Sequence, residues 1–327
     1  MSTPTDRLCA HTDPAVAYRA RLLLAGEDPA SASMRRLRDA IGESERARRL
    51  LRVLDQPAAG PYRKWQGPHW SLYSLAEIWY PPRSDALVPL RDDVLDWLLE
   101  PRFVKPPSTI VFKDQPQRPR RCTSQEGNAI WAQVRLELVH PERTRLLVQR
   151  LVDFQWPDGG WNCDRQEQAR TASVQETLIP VRGLTAWWSA TGDEEALLAA
   201  TRAAEFLLER RLLWRRRDGR LMRPEWGGPV DRISYPFRFY DPLVALLAMV
   251  ELGSVRDPRC SDALDLLEAK RLPDGMFPNE WTNWRTVDEV HSRGTYADWG
   301  PRGRTRPNPF VTVDALYVLR EAGRSID

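Results

Sequence analysis

The stretch FQWPDGGWNC, residues 154–163, decides the fold of this chain. Two tryptophans enclose a Pro-Asp-Gly-Gly turn, and the stretch has the form Gln155-x-x-x-Gly159-x-Trp161. Weaker copies carry a glycine at the same place, at Gly60, Gly219 and Gly275. Similarity that recurs every few tens of residues is typical of repeat architectures. The turn is therefore one copy of a repeated unit.

A pair of helical patterns surrounds each copy of the turn. The pattern before it, such as TRLLVQRLVDFQ, has apolar residues at three- and four-residue spacing with charges between them, which indicates an amphipathic helix. The pattern after it, such as DPLVALLAMVELG, is apolar on most sides and predicts a buried helix. Five such pairs can be read from residue 45 onward, and residues 14–42 supply a candidate for a sixth.

Repeated helix pairs predict an all-α protein, built either as an open solenoid or as a closed double ring. Because six pairs would close a ring, we predict an α/α toroid of about six helical hairpins. We expect residues 1–12 to form a flexible N-terminus and residues 13–327 to form a single toroid domain.

Composition narrows the class of protein. The chain is 42% hydrophobic and 28% charged, which is typical of globular proteins, and its net charge of +3 does not favour nucleic acid as a partner. The sequence shows neither a signal-peptide pattern nor an apolar run long enough to span a membrane. We therefore expect a cytoplasmic protein without a transmembrane segment. The four cysteines form no CxxC pair, so the sequence predicts neither a zinc ribbon nor a disulfide framework.

The Gln155, Gly159 and Trp161 pattern, followed by an apolar helix, resembles the repeat of squalene–hopene cyclases and related terpene cyclases. Protein prenyltransferase β-subunits share the α/α toroid of that superfamily. The segments WNCD and FRFYDPLVALL are similar to those of bacterial squalene-cyclase-like proteins. The resemblance covers most of the chain at the level of the repeat, and it implies that Gln155 and Trp161, with Gln56 and Tyr62, pin helix ends and do not catalyse.

Small polar residues stand at the heads of the apolar helices, where a toroid of this type would place them around one mouth of its cavity. They are Ser74, Asn128, Thr177, Asp241 and Asp314. One interpretation is that they cap helices or join them by hydrogen bonds. The other is that carboxylic acids among them donate protons, since a dry cavity raises their pKa. The predicted catalytic residues are Asp241, Asp314, Glu176 and Glu126, and the predicted substrate-binding residues near helix starts are Arg238, Tyr240, His69 and Trp70.

A long stretch, residues 278–308, separates the last turn from the last apolar helix. It is rich in tryptophan and arginine. Tryptophan rings stabilise positive charge, and arginine guanidinium groups bind anions. From it we predict four further substrate-binding residues: His291, Trp284, Arg285 and Trp299. The substrate would then be a hydrophobic or anionic small molecule. The alternative is an insertion that packs on the rim of the domain.

The resemblance also sets limits on the chemistry. The Asp-x-Asp-Asp motif of class II terpene cyclases is absent, and the pair Asp92-Asp93 lies in an amphipathic helical pattern. The Asp, Cys and His ligands of the prenyltransferase zinc cannot be assembled from this sequence, so we predict no metal and no cofactor. The leading hypothesis is a terpene-cyclase-like enzyme that cyclises or isomerises a hydrophobic small molecule by cofactor-free acid/base chemistry, in natural-product biosynthesis.

Two other functions remain open at this point. One is a non-catalytic toroid that binds a ligand or a partner protein, which a core filled by Trp131, Trp187 and Phe239 would indicate. The other is a prenyl-type transferase that holds a diphosphate with arginines.

Overall fold

Helices joined by short turns make up most of the protein. The computed structural model describes residues 2–55, 60–100, 112–223 and 230–326. The α-helices in these ranges are α1 (Pro4–Cys9), α2 (Pro14–Leu23), α3 (Ala32–Gly42), α4 (Glu45–Leu51), α5 (Pro68–Glu77), α6 (Val88–Leu99), α7 (Thr123–Arg135), α8 (Pro141–Asp153), α9 (Val174–Thr191), α10 (Glu194–Leu208), α11 (Pro242–Glu251), α12 (Ser261–Glu268) and α13 (Pro309–Glu321). The all-α class predicted from the sequence is confirmed.

Shorter elements complete the description. Single 3-10 turns lie at Arg52–Leu54, Asp85–Leu87 and Pro258–Cys260. Two strands of two residues each, β1 (Arg285–Thr286) and β2 (Gly294–Thr295), pair in parallel with Arg285 opposite Gly294. They bring the two arms of the long stretch 278–308 together.

The repeat turn at residues 154–163 joins the end of α8 to its neighbours. Gly159 has φ +92°, and the other repeat glycines also have positive φ, namely Gly60, Gly219 and Gly275. The Gln155 amide donates to the carbonyl oxygens of Gly159 (2.7 Å) and Ala199 (2.8 Å). The fully buried Trp161 donates from Nε1 to the Leu151 carbonyl oxygen (3.0 Å). The predicted pinning role of Gln155 and Trp161 is confirmed; Gln56 lies outside the described residues.

The apolar helices pack on one another in series. In the described chain α5 packs on α7, α7 on α9, α9 on α11, α11 on α13, and α13 on α2. The more polar α6, α8, α10 and α12 pack on α5, α7, α9 and α11. Buried apolar side chains from Leu8 to Leu319 form one cluster, so the helices share one core.

Two glycines allow α7 and α9 to cross closely. A Cβ atom on Gly127 would lie 2.8 Å from the backbone of Ile179, and one on Gly183 would lie 2.6 Å from the Gly127 carbonyl oxygen. Larger residues cannot enter without separating the helices. The first turns of the two helices are also joined, because Thr123 Oγ1 donates to the Glu176 carbonyl oxygen at 2.9 Å.

The N-terminus is folded, which differs from the flexible segment expected for residues 1–12. Pro4–Cys9 form α1, whose start is closed by a capping box between Thr3 and Asp6. Leu8 is fully buried. The apolar pattern is too short to be recognised in the sequence, and the helix is held by packing on α2 and α13. None of the described helices has the length and apolar character needed to cross a bilayer.

Candidate functional site

The Asp241 carboxylate binds backbone N–H groups at the start of α11. Its Oδ1 accepts from the backbone N–H groups of Leu243 (2.9 Å) and Val244 (3.0 Å). Its Oδ2 accepts from the backbone and the hydroxyl of Ser234, both at 3.1 Å. Burial raises the pKa of Asp241 to about 7 in spite of these donors. The geometry is that of a helix cap, which is the first of the two interpretations given above.

Asp314 lies in a buried ion pair. Its Oδ1 contacts Arg19 Nη2, and the same guanidinium donates from Nη1 to the Tyr235 hydroxyl at 2.9 Å. Burial raises the pKa of Asp314 to about 6, while Arg19 opposes that rise. The pair joins α2 near one end of the chain to α13 near the other.

Glu126 faces two arginines. Its Oε1 accepts from Arg121 at 2.6 Å and also from Arg150. Burial raises the pKa of Glu126 to about 7, and nearby Glu176 adds to the rise. Asp241, Asp314 and Glu126 thus already accept hydrogen bonds from backbone N–H groups or from arginines, and Glu126 lies close to Glu176.

Glu176, in the first turn of α9, lies beside two thiols. Its Oε2 accepts from Ser124 N (2.9 Å), and its Oε1 lies 3.5 Å from Cys163 Sγ. Cys122 completes the group, since one ligand atom from each of the three residues lies within 4.8 Å of the others. Burial raises the pKa of Glu176. The sequence analysis assembled no three-residue ligand set, and the structure places one here.

The second cluster, which we call the Arg238 site, consists of Arg238 and the rings of Trp65, Trp70 and Trp284. The guanidinium carbon lies 4.7, 5.7 and 5.2 Å from the respective ring centroids. Arg238 is 3% exposed, and its Nη2 donates to Thr295 Oγ1 at 3.4 Å. Its Nε and Nη1 have no hydrogen-bond partner, and in the described part of the chain no ion pair involves Arg238. Burial lowers its pKa to about 9, which leaves it charged at neutral pH.

His69 and Trp70 extend this aromatic wall along α5. The His69 ring lies 5.0 Å from that of Trp70 and 5.6 Å from that of Tyr62. Both His69 nitrogens and Trp70 Nε1 are buried without a hydrogen-bond partner in the described protein. Burial lowers the pKa of His69 to about 3, so its ring is neutral.

The long stretch 278–308 turns its aromatic residues inward and its arginines outward. Trp284 and Trp299 are buried, and Trp299 Nε1 reaches the Thr295 hydroxyl that also receives Arg238 (3.4 Å). Arg285 and His291 are exposed and contact each other, with Nη2 and Nε2 2.7 Å apart. The structure thus places Arg285 and His291 on the surface, whereas Trp284 and Trp299 lie in the interior.

Tyr240 is held by two hydrogen bonds. Its hydroxyl donates to the Leu212 carbonyl oxygen at 2.7 Å, and its backbone N–H donates to Gln175 Oε1 at 2.7 Å. Burial raises its pKa above the ordinary value. The contact with Gln175 nevertheless ties the segment that carries Arg238 to the start of α9, next to Glu176.

Tyr62 connects the two clusters. Its ring lies 5.8 Å from that of Trp70, at the edge of the Arg238 site. Its hydroxyl hydrogen-bonds with Gln125, and its pKa is raised by burial and also by the nearby Glu176, Cys122 and Cys163. The thiol cluster and the Arg238 site are therefore neighbours at the heads of the apolar helices.

The sequence analysis missed several residues of this region: Trp65, Phe239, Thr295, Cys122 and Cys163. Cys122 directly precedes α7, whereas Cys163 follows the repeat turn well before α9, so no shared position in the sequence relates the two cysteines. Two surface depressions of about 280 and 290 Å³ are lined by other residues, including Arg220 and Gln149, and by none of the predicted site residues.

Comparison with known proteins adds no assignment: no protein-family model and no curated protein matches this chain.

Proposed function

We propose that the chain is an α/α toroid that binds a hydrophobic organic anion at the Arg238 site and isomerises or cyclises it. The observation that carries the proposal is a buried arginine without a counter-anion, set among indole rings. The serial packing of α5, α7, α9, α11, α13 and α2 supports the toroid. The anionic end of the ligand would pair with Arg238, and its apolar body would lie on the indoles.

The magnitudes favour a missing anion over a purely structural arginine. Cation–π contacts contribute about 0.5–2 kcal/mol each. Burial of an unpaired charge costs at least several kcal/mol, and a buried guanidinium has five N–H donors to satisfy. Only one donor of Arg238 has a partner in the described protein, the hydroxyl of Thr295. A carboxylate or phosphate would take up the remaining donors in the bidentate geometry that arginine prefers.

The reaction rests on the resemblance of the repeat to terpene cyclases and on one carboxylic acid. Glu176 lies close to Tyr62 at the edge of the aromatic wall, and burial raises its pKa although Ser124 donates to it. Its raised pKa suits a proton donor. We assign the role to Glu176 because Asp314 and Glu126 pair with arginines and Asp241 caps α11.

Binding of two probes of matched apolar chain tests the proposal. Farnesyl diphosphate and farnesol should both quench tryptophan fluorescence, and the diphosphate should bind more tightly in the wild-type protein. In Arg238→Gln the affinity for the diphosphate should fall by about 30-fold or more, which is the usual cost of removing one partner of a buried charge pair. The affinity for farnesol should change little.

The exposed Arg302 supplies the matched control, since Arg302→Gln removes the same charge from the surface of the long stretch. It should leave both affinities unchanged. Equal loss in the two variants, or no loss in Arg238→Gln, contradicts the proposal.

A non-catalytic binding toroid is the second candidate, and a specific observation favours it. Trp131, Trp187 and Phe239 are all buried, at 4%, 2% and 8% exposure. Bulky side chains in the core leave less room for a substrate to fold. Mass spectrometry separates the two: an enzyme yields isomers of unchanged mass from a bound polyene, and a carrier returns it unaltered.

A further inference from the structure

Cys122, Cys163 and Glu176 come from three separate segments that the backbone holds in register. Residues 120 and 162 form a parallel bridge, and Arg121 N donates to the Asn162 carbonyl oxygen at 3.1 Å. This pairing brings the two cysteines near each other, since Cys163 follows Asn162 directly and Cys122 lies two residues after Arg120. Glu176 joins them because Ser173 N donates to the Trp161 carbonyl oxygen at 2.8 Å, which fixes the start of α9.

The carboxylate of Glu176 is oriented before any ligand arrives. Ser124 N holds Oε2 at 2.9 Å and leaves Oε1 facing Cys163 Sγ at 3.5 Å. Around a tetrahedral zinc ion, bonds of about 2.3 Å to sulfur and about 2.0 Å to oxygen place the two ligand atoms roughly 3.5 Å apart. The distance between sulfur and oxygen therefore already fits a shared zinc ion.

We propose that Cys122, Cys163 and Glu176 bind one Zn²⁺ ion. Two soft thiolates and one carboxylate in tetrahedral reach favour zinc over the oxygen-seeking Mg²⁺ and Ca²⁺. Cys122 is exposed, which gives the ion a path from solvent. Three protein ligands leave a fourth position for water or substrate, as in catalytic zinc sites.

The open position lies in the same region as Tyr62 and the Arg238 site, since Tyr62 contacts Trp70 and is close to the thiols. This step rests on the proposed function: a zinc ion there would polarise an oxygen of the bound anion or activate a water. Glu176 would then act as a metal ligand, and the electrophile would be zinc in place of a proton.

Metal analysis of the intact protein tests the site without any substrate. Protein purified with a phosphine reductant should take up one Zn²⁺ per chain, measured by elemental mass spectrometry after dialysis. Cys122→Ser, Cys163→Ser and Glu176→Gln should each lower the zinc affinity by more than about 100-fold, which exceeds the usual cost of losing a residue behind the ligands. Cys9→Ser, which changes a cysteine outside the cluster, should bind zinc like the wild type.

Cobalt gives a readout that does not depend on the variants folding. Co²⁺ in the wild-type protein should show a thiolate-to-cobalt charge-transfer band and the strong visible bands of four-coordinate cobalt. Absence of these bands with all thiols reduced overturns the proposal. So does a Cys122–Cys163 disulfide that persists in reductant and prevents metal uptake.

The two proposals fail separately. Zinc binding with normal diphosphate affinity in Arg238→Gln removes the anion site and keeps the metal site. Diphosphate binding that depends on Arg238 in a protein without metal uptake does the reverse.

Discussion

Buried polar side chains in this protein divide into those with partners and those without. Asp314 pairs with Arg19, and Glu126 pairs with Arg121. By contrast, two nitrogens of Arg238 and both ring nitrogens of His69 have no hydrogen-bond partner in the described protein. An unmade buried hydrogen bond costs about 1–3 kcal/mol for the neutral groups. Residues that retain this cost are the strongest candidates for ligand contact.

Replacement of His69 by phenylalanine should leave the protein as stable as before at pH 7, or more stable. Phenylalanine keeps the ring contacts with Tyr62 and Trp70 and removes two buried nitrogens that make no hydrogen bond. Urea unfolding measures the effect. A loss of more than about 3 kcal/mol would mean that the imidazole makes hydrogen bonds essential to the fold.

The same variant should change how stability depends on pH. The pKa of His69 is lowered to about 3 in the folded protein, below the value of about 6.5 in an unfolded chain. Between these values only the unfolded chain takes up the proton, so the free energy of unfolding is greatest above pH 6.5 and falls as the pH decreases towards 3. The slope from this one group is on the order of 1 kcal/mol per pH unit.

Subtraction of the two unfolding curves isolates His69 from the carboxyl groups that titrate in the same range. The wild type should lose more stability than His69→Phe between pH 6.5 and 4. Parallel curves would show that the imidazole is protonated in the folded state.

Individual residues near the site were predictable only in part. The apolar pattern of α11 places Arg238 just before the start of that helix, and the apolar pattern of α5 places Trp70 in its first turn. The capping role of Asp241 was one of the two interpretations of the sequence, but the ion pair of Asp314 did not follow, because its arginine is distant in sequence. Arg19, for example, lies on the second helix and Asp314 on the last.

At the scale of elements, the repeat turn works as a docking device. A Cβ atom on Gly159 would lie 2.4 Å from the Arg202 carbonyl oxygen, so the turn sits directly against α10. At Gly219, which has φ +64°, nothing lies within 4 Å of such an atom. The two positions share a backbone conformation and differ in what surrounds them.

Alanine substitutions at these two glycines should therefore differ. Gly219→Ala carries only the strain of a left-handed residue, about 1–2 kcal/mol. Gly159→Ala adds a clash with a backbone carbonyl and should lower the free energy of unfolding by clearly more. Chemical denaturation of both variants checks this. Equal losses would mean that α10 moves aside freely.

The helices themselves were readable from the sequence because their apolar periodicity is strong. The long stretch 278–308 was not, since its interior is held by contacts such as that between Trp299 and Thr295 and by a ladder of two residues per strand. Local patterns carry no information about such pairings. The tryptophans Trp284 and Trp299 of this stretch lie inside and its arginines outside, because apolar side chains are buried and charged ones stay in water.

At the scale of the molecule, α2 and α13, from opposite ends of the chain, are bound together. Arg19 of α2 pairs with Asp314 of α13, and Arg320 Nη1 donates to the Leu24 carbonyl oxygen at 2.9 Å. We therefore expect the two ends of the chain to unfold together. They also support the proposed closure of the helix series into a toroid.

Removal of one partner of this pair should destabilise the whole protein. Asp314→Ala leaves the Arg19 charge buried and should cost about 3–5 kcal/mol. The double variant Arg19→Met/Asp314→Leu should recover most of that loss, because apolar side chains of similar size need no counter-charge. Thermal unfolding followed by circular dichroism should show one transition that shifts as a unit.

Asp114→Ala serves as the control, since Asp114 pairs with Arg170 on the surface at 2.7 Å. Its loss should cost less than about 1 kcal/mol. A separate early transition in Asp314→Ala would show that the chain ends unfold independently of the rest.

The close crossing of α7 and α9 at Gly127 and Gly183 restricts which substitutions the chain tolerates there. The two glycines fix the gap between α7 and α9, and those helices hold Ser124 and Glu176 at their first turns. A methyl group at either glycine would separate the first turns of α7 and α9. The Glu176 carboxylate would then move away from the two thiols. Gly127 and Gly183 would thus determine the spacing within the cluster of Cys122, Cys163 and Glu176 without belonging to it.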